Sequence, residues 1–462
     1  MADVLTPKVR SVENMVQRAR GATRKSSSPA CPVCHLKAWI SVFFDGTGNH
    51  RERDFPKCHS NVAALFDAHQ DNPDEGIIRL YYEGLGRSFS FRERYEETKV
   101  YTRGGVRTLK TEGYQEADDR KLGKGFADGI TERLEKALFE LTDQIDRLRG
   151  KLNVDEINLA VFGFSRGSTE ARAFLHWLAA HSKVKKAGTK LTYDDVPLNV
   201  KFLGIFDTVE SVGWAGTNKM PELIKTKVPA FVEKCTHIVA AHELRSAFPL
   251  TQVDRNHRCV VYPGAHADIG GGYEMDEQGR SSQLARIALL QMLDEARGAG
   301  LKMRSLGEMK ASKRWDERFK PSFDVPATAQ KSLNDYLAAV KPAGSMTHHF
   351  QAHMDHYWRW IDSGLAMEDV EQKRQAFKGN KDREADFRIM KHLLTFTART
   401  PEGRGQGKMP VKREGIPAPV ESFFETYVHD SFEHFSATGG TLQTDASTAD
   451  YYHLRTVLQP VG

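Results

Sequence analysis

A serine between two glycines offers the clearest chemistry in this sequence. The stretch NLAVFGFSRGS, residues 158–168, places Ser165 in a Gly-x-Ser-x-Gly pattern directly after an apolar run. A serine hydroxyl is a weak nucleophile, and it becomes reactive when a base takes its proton and nearby donors stabilise the oxyanion. Where this pattern joins a strand to a helix, the hydroxyl is exposed on a tight turn. We therefore predict that Ser165 is a nucleophile, the alternative being an ordinary turn.

Two backbone amides are candidates for an oxyanion hole beside this serine. The N–H of Arg166 follows Ser165 at the expected start of a helix. A second donor is expected from the loop after the first strand, where DGTG (45–48) is rich in glycine. We assign this second donor to Gly46.

A histidine and an acid must complete the arrangement, and the chain offers two pairs in the order serine, acid, histidine. The first pair is Asp268 with His429, and the second is Asp207 with His266. Hydrolase topology usually places the acid on a later strand and the histidine near the chain end, which favours the first pair. In that case His266 would hydrogen-bond its own loop, and Asp207 would orient that loop from beneath. Both pairs remain open on the sequence alone.

Short apolar strands alternate with amphipathic helices over residues 38–302. The predicted strands lie at 39–44, 77–86, 157–162, 200–209 and 259–263, and the predicted helices at 126–150, 171–178 and 281–299. This alternation favours an α/β fold of the hydrolase type, with a mostly parallel sheet covered by helices on both faces. Function in such sheets lies at the carboxyl ends of the strands, which is where Asp45, Ser165, Asp207 and His266 fall.

The remaining chain divides into three parts around this predicted core. Residues 1–37 form a polar, basic arm without an apolar segment, so no Sec-type signal is expected. Residues 303–420 are polar and rich in lysine, and they indicate a helical insertion, either a cap or a membrane-contact region. Residues 421–462 return to the core.

One segment of the insertion, residues 346–361, carries a one-sided set of large apolar side chains. The set comprises Phe350, Met354, Tyr357, Trp358 and Ile361. Such a face is typical either of a helix at a membrane interface or of a cap helix packed on the sheet.

Composition excludes several function classes. Over 462 residues, 40% are apolar and 27% charged, as in soluble globular proteins. A net charge of +5 is too mild to indicate nucleic-acid binding, but it suits an anionic membrane surface. Cys31-Pro-Val-Cys34-His35 matches a haem-attachment pattern, and histidines 348, 349, 353 and 356 have metal-like spacing. Without a signal peptide or an accompanying carboxylate pattern, we expect neither cofactor nor metal.

Six ordered stretches resemble the catalytic domain of the type VI secretion phospholipase effectors, the first lipase-effector family. They are FFDGTGN (43–49), GFSRGSTEAR (163–172), GIFDTVESVG (204–213), AAHELRSAFPL (240–250), PGAHADIGGGY (263–273) and YVHDS (427–431). The resemblance places the family's serine on Ser165. Its acid and histidine fall in the motifs that hold Asp207, His266, Asp268 and His429.

The resemblance implies an α/β-hydrolase that cleaves acyl esters of membrane phospholipids in a rival bacterium. It also implies delivery on a secretion-spike component, action in the periplasm or at the membrane of the target cell, and a cognate immunity protein. Some members carry a large C-terminal membrane-anchoring region, whereas here the chain ends about 30 residues after YVHDS. A soluble carboxylesterase or thioesterase, or a non-catalytic binding module on the same fold, are the alternatives.

Overall fold

A computed structural model describes residues 4–6, 35–85, 89–102, 105–117, 125–210, 224–245, 248–399, 415–432 and 451–462. The Cys31/Cys34 pattern and most of the predicted arm over 1–37 lie outside the described residues. So do residues 211–213 of the third motif and 433–450 of the C-terminal part.

The central sheet is built from parallel strands. In spatial order they are β1 (Val4–Leu5), β12 (Arg258–Tyr262), β10 (Cys235–Ala240), β9 (Val196–Phe206), β6 (Val154–Phe164), β2 (Leu36–Phe44) and β3 (Ile77–Tyr82). A hairpin of β7 (Val184–Ala187) and β8 (Lys190–Tyr193) adds to β9 in antiparallel fashion. Two pairs stand apart from this sheet: β4 (Phe89–Thr102) with β5 (Gly105–Ala117), and β11 (Leu250–Thr251) with β13 (Val457–Leu458).

The strands are apolar on both faces because helices cover both sides of the sheet. Successive side chains of a strand point to opposite faces. Phe43, Phe162 and Phe202 accordingly belong to one buried cluster, and Val161 and Leu203 belong to the other. Near-continuous apolar runs of this kind are typical of buried parallel strands.

The helices divide between the two faces. The first face is covered by α1 (Asn61–Ala68), α4 (His266–Gly270) and α5 (Gln283–Gly298), and the second by α2 (Gly125–Lys151) and α3 (Arg166–Ala179). The predicted α/β fold with helices on both faces is confirmed. No helix in the described part of the chain is long and apolar enough to cross a bilayer.

Further helices cap the first face of the sheet. They are α6 (Leu306–Ala311), α7 (Lys320–Phe323), α8 (Ala327–Val340), α9 (Met346–Asp362), α10 (Leu365–Ala376), α11 (Lys381–Arg399) and α12 (Ala418–Tyr427). Leu333 of α8, Trp360 of α9 and Phe424 of α12 share one apolar cluster with Phe162 of the sheet. The cap and the sheet therefore have a common core.

The apolar face of α9 is buried in this common core. Its five large side chains, Phe350, Met354, Tyr357, Trp358 and Ile361, are each at most 9% exposed. The indole of Trp358 also donates a hydrogen bond to the carbonyl of Tyr451 at 2.5 Å. The prediction of a membrane-interface face here is wrong, and α9 is a cap helix. Helical periodicity reveals a one-sided apolar surface but not what covers it.

The structure adds strands that the sequence did not reveal. β10 lies between β9 and β12, so Asp207 after β9 is two strands away from β12 rather than one. The predicted strand at 157–162 is longer in the structure, as is the predicted helix at 126–150. The strand predicted at 200–209 ends at Phe206, which leaves Asp207 on the loop that follows.

Candidate active site

Ser165 occupies a strained turn between β6 and α3. Its φ of 58° and ψ of −125° lie in a region that residues other than glycine rarely adopt. The Ser165 amide donates to the carbonyl of Phe206 at 3.0 Å, and the Ser165 carbonyl accepts from Val209 at 3.3 Å. Hydrogen bonds to the neighbouring strand β9 and its loop therefore hold the strained residue in place.

Two glycines let this turn pack closely. A Cβ on Gly163 would lie 2.4 Å from the carbonyl oxygen of Gly167, and a Cβ on Gly167 would lie 2.4 Å from the carbonyl oxygens of Phe44 and Asp45. No side chain fits at either position without moving the backbone. The glycines of the Gly-x-Ser-x-Gly pattern are thus required by the close approach of β6, α3 and the end of β2.

We predict that Gly167→Ala destabilises the protein. The added methyl group meets backbone atoms that cannot rotate away, so we expect a loss of about 1–3 kcal/mol in the free energy of unfolding. Gly150→Ala is the matched control, because Gly150 lies on α2 with nothing within 4 Å of a built Cβ, and there alanine should stabilise slightly. Urea denaturation measures both; equal free energies of unfolding for wild type and Gly167→Ala would contradict the packing argument.

The loop after β2 reaches the same end of the sheet. A Cβ on Gly46 would lie 2.4 Å from the ring of Phe164, so the loop packs against the residue before Ser165. The chain continues from β2 to β3 on one side, whereas β6 lies on the other side of β2. In open α/β sheets, ligands bind at such a switch in strand order.

Asp45 organises this loop through three hydrogen bonds. Its Oδ1 accepts from the Gly46 amide at 2.7 Å, and its Oδ2 accepts from Ser60 Oγ at 2.8 Å and from the Tyr81 hydroxyl at 2.5 Å. Burial raises the pKa of Asp45 to about 6, although the three hydrogen bonds oppose this shift. In this conformation the Gly46 amide is engaged by Asp45, so its predicted use as an oxyanion donor requires that hydrogen bond to be exchanged.

The other predicted donor lies at the start of α3. Arg166 is the first residue of this helix, directly after Ser165. Amides in the first turn of a helix have no acceptor within the helix and carry its positive dipole end. An oxyanion formed on a substrate at Ser165 would therefore meet a favourable field.

Asp207 and His266 form a buried pair close to the turn. Asp207 follows β9, the neighbour of β6, and His266 is the first residue of α4. The two side chains meet at 2.5 Å between His266 Nδ1 and Asp207 Oδ2. The His266 ring packs on Phe164, with ring centroids 4.7 Å apart, and on Phe248, with centroids 5.1 Å apart.

The charges around this pair favour a neutral histidine beside an ionised carboxylate. Burial by itself would raise the pKa of Asp207, but the Arg455 guanidinium and His266 outweigh it and hold this pKa below its usual range. Burial lowers the pKa of His266, although the hydrogen bond to Asp207 opposes the shift. At neutral pH His266 can therefore accept a proton, and Asp207 can stabilise the imidazolium that results.

Asp268 and His429 form a second buried pair. His429 Nδ1 lies 2.6 Å from Asp268 Oδ1, and Asp268 Oδ2 accepts from the amides of Ala265 at 2.9 Å and His429 at 3.0 Å. The His429 ring stacks on Tyr273 with centroids 4.0 Å apart. These contacts attach the segment after α12 to the start of α4.

The two histidines differ in access. The side chain of His429 is 0% exposed, and its Nε2 is buried without a hydrogen-bond partner among the described residues. The side chain of His266 retains 7% exposure, and Ser165 as a residue retains 4%. A base that serves an incoming substrate needs such access.

Sequence reasoning missed two residues that contact the Asp207–His266 pair. Glu243 Oε2 accepts from the His266 amide at 3.2 Å and pairs with Arg245. Arg455 reaches Asp207 from the far end of the chain. Glu243 stands inside a motif already noted, AAHELRSAFPL, whereas Arg455 follows a Thr/Gly-rich stretch with no pattern around it.

A parallel sheet with its serine on a strained strand-to-helix turn is the architecture of the α/β-hydrolases. Within that class, the model of the family described as "T6SS, Phospholipase effector Tle1-like, catalytic domain" matches residues 39–194 and 178–295. These residues make up more than half of the chain, and the chain belongs to this family. The resemblance drawn from the six motifs is confirmed.

Solved structures share the fold. An uncharacterized protein from Pseudomonas aeruginosa is 18% identical with a TM-score of 0.61, and the match covers 99% of this chain and 85% of that one. A structure of the Tle1 effector bound to the VgrG spike from the Type 6 secretion system is 16% identical with a TM-score of 0.44, covering 72% of this chain and 88% of that one. A search of the curated proteins found no match.

Proposed function

We propose that this chain is a serine hydrolase of the phospholipase A type, which cleaves acyl ester bonds of membrane glycerophospholipids. The observation that carries the proposal is the backbone of Ser165, held at φ 58° on the turn between β6 and α3. Strain of this size persists where the surrounding structure enforces it, and it is concentrated at functional sites. Membership of a phospholipase effector family supports the choice of substrate.

We assign the base to His266 and the acid to Asp207. Three observations favour this pair over Asp268 and His429. Asp207 ends the strand next to the one that ends at the serine, the His266 ring packs on Phe164, and His266 keeps some exposure where His429 has none. In this assignment the Asp268–His429 pair secures the start of α4, and with it the position of His266.

The proposed reaction has two halves. Ser165 Oγ attacks the ester carbonyl while His266 takes the hydroxyl proton, and Asp207 holds the Nδ1–H side of the ring. The oxyanion is stabilised by the Arg166 amide and a donor from the loop at 45–48. The tetrahedral intermediate then expels the lysophospholipid alkoxide, which takes the proton from His266. Water attacks the acyl-serine by the same route and releases a fatty acid.

The biological setting follows from the family. We propose that the protein is an antibacterial effector, made in the cytoplasm, exported by the type VI system on a spike component and active at the membrane of the target cell. A cognate immunity protein would protect the producing cell. The proposed division of the chain is an arm (1–37), a catalytic core (38–302), a helical cap (303–420) and a C-terminal return (421–462).

We expect the purified protein to release fatty acid and lysophospholipid from glycerophospholipid vesicles. The net charge of +5 should favour anionic vesicles, and each basic residue near an anionic surface contributes about 1 kcal/mol. Added salt should therefore slow hydrolysis of anionic vesicles more than of zwitterionic ones. Mass spectrometry of the products, with Ser165→Ala as the background, measures the reaction.

Vesicles of every headgroup may be compared with a short soluble ester in the same assay. Good cleavage of the soluble ester with all vesicles left intact would replace the phospholipase assignment with a carboxylesterase or thioesterase. Absence of hydrolysis on every substrate, together with no labelling by a fluorophosphonate, would leave a binding module.

A further inference from the structure

The last described residues, 451–462, form a segment that is bonded to the core along its length. Val457 and Leu458 pair in parallel with Leu250 and Thr251 as β13 and β11. Further along, the carbonyl of Val461 accepts from the amides of Thr226 and Lys227 at 2.9 and 2.8 Å. We call residues 451–462 the C-terminal segment.

This segment places Arg455 against the Asp207 carboxylate. Arg455 Nη1 lies 2.5 Å from Asp207 Oδ1 and 3.2 Å from the carbonyl of Ala240, and its Nε donates to the carbonyl of Phe248 at 3.0 Å. The two charged side chains are 1% and 0% exposed. The guanidinium is therefore fixed at three points around the acid, shielded from water.

The contacts of Asp207 divide between its two oxygens. Oδ1 accepts from Arg455 and, at 2.9 Å, from the Ala240 amide, whereas Oδ2 is left to His266. A carboxylate bound in this way cannot rotate about its last bond without breaking contacts on both sides. The orientation of the His266 ring thus depends on a residue that arrives from the C-terminal segment.

We propose that Arg455 is a positioning residue for the hydrolytic site, acting through Asp207 on the orientation and basicity of His266. This inference rests on the proposed function and on its assignment of Asp207 as the acid. It gives the C-terminal segment a role in catalysis, although it lies 290 positions after Ser165 in the case of Arg455 (455 − 165). Displacement of a reacting group by about 1 Å can cost on the order of 10²-fold in rate.

The charges around the pair define a second readout. Asp207 faces Arg455, His266 and His237, and His266 also faces Glu243 and Arg245. Loss of the Arg455 charge removes a cation close to the imidazolium that forms on His266, which makes that imidazolium easier to form. Since the base must be neutral to act, the acid limb of the pH–rate profile should move to higher pH.

The test compares Arg455→Met and Arg455→Lys with wild type on a short soluble ester. For Arg455→Met we expect kcat to fall on the order of 10²-fold with KM little changed, because Arg455 contacts the acid and not the substrate. The acid limb should rise in pH. Arg455→Lys keeps the charge but cannot reach all three acceptors, so its kcat should lie between those of the other two proteins.

Arg280→Met is the matched control. Arg280 forms a buried ion pair with Asp369 at 2.7 Å in the cap, with side chains 2% and 6% exposed. Its loss should lower the melting temperature while kcat per folded molecule and the pH profile stay as in wild type.

Each outcome decides the proposal. Wild-type kcat and an unmoved acid limb in a folded Arg455 variant would overturn it, as would failure of both Arg455 variants to fold, since Arg455 would then be a residue of the core. Asp207→Asn is measured alongside. If Asp207→Asn stays active, the proposed triad itself fails; if it is inactive while Arg455→Met is not, only the role of Arg455 fails.

Discussion

Replacement of Ser165 by alanine is expected to lower kcat by about 10⁶-fold, as for removal of a nucleophile from a catalytic triad. Alanine keeps the Cβ and hence the same backbone strain at φ 58°, and the amide bond to Phe206 is unaffected. The fold and the melting temperature should therefore stay close to those of wild type. Hydrolysis of a short ester and labelling by a fluorophosphonate measure the loss.

The same motif supplies a matched control in Ser168. This residue is also buried, and its hydroxyl donates to the Phe206 carbonyl at 2.9 Å. Ser168→Ala should cost about 1 kcal/mol in the free energy of unfolding and leave labelling intact. Hydrolysis by pure Ser165→Ala at a rate near that of wild type, or labelling that is lost in Ser168→Ala and kept in Ser165→Ala, would remove Ser165 as the nucleophile.

The sheet and the serine turn were predictable because both depend on local patterns. A run such as LAVFGF, 159–164, has to be buried on two faces, and glycines on either side of Ser165 permit the close approach found at Gly163 and Gly167. Strand β10 escaped prediction because its sequence, CTHIVA, mixes polar and apolar residues while all six positions are buried. His237 within it is satisfied by contacts that no local pattern reveals, including one from the Thr208 amide at 3.2 Å.

The cap and the site show where local patterns stop. The apolar face of α9 is evident in the sequence, but its burial depends on partners such as Tyr451 and Phe424, which lie far along the chain. In the same way, Arg455 meets Asp207 across 248 positions. Both acid–histidine pairs also exist in the structure, so the order of residues along the chain could never have chosen between them.

The choice between these pairs gives the second large expected effect. With His266 as the base, His266→Ala should lower kcat about as much as Ser165→Ala, and Asp207→Asn should lower it by about 10⁴-fold, since an amide holds the wrong imidazole tautomer. His429→Ala should instead act on stability. Its ring stacks on Tyr273 and its Nδ1 satisfies Asp268, so its loss leaves a cavity and a buried carboxylate with one partner fewer.

The measurement pairs kcat on a short soluble ester with the thermal midpoint of each variant, at a temperature below every midpoint. Asp268→Asn is the counterpart of Asp207→Asn, and we expect it to be folded, less stable and active, because Asp268 holds the start of α4 through the Ala265 amide. The double variant His266→Ala/His429→Ala should be no slower than His266→Ala alone. If His429→Ala is folded and inactive while His266→Ala keeps its activity, the base is His429 and the acid is Asp268. The access argument from the 7% and 0% exposure of the two rings would then be wrong, and the substrate would have to open the contact between Tyr273 and His429 in order to react.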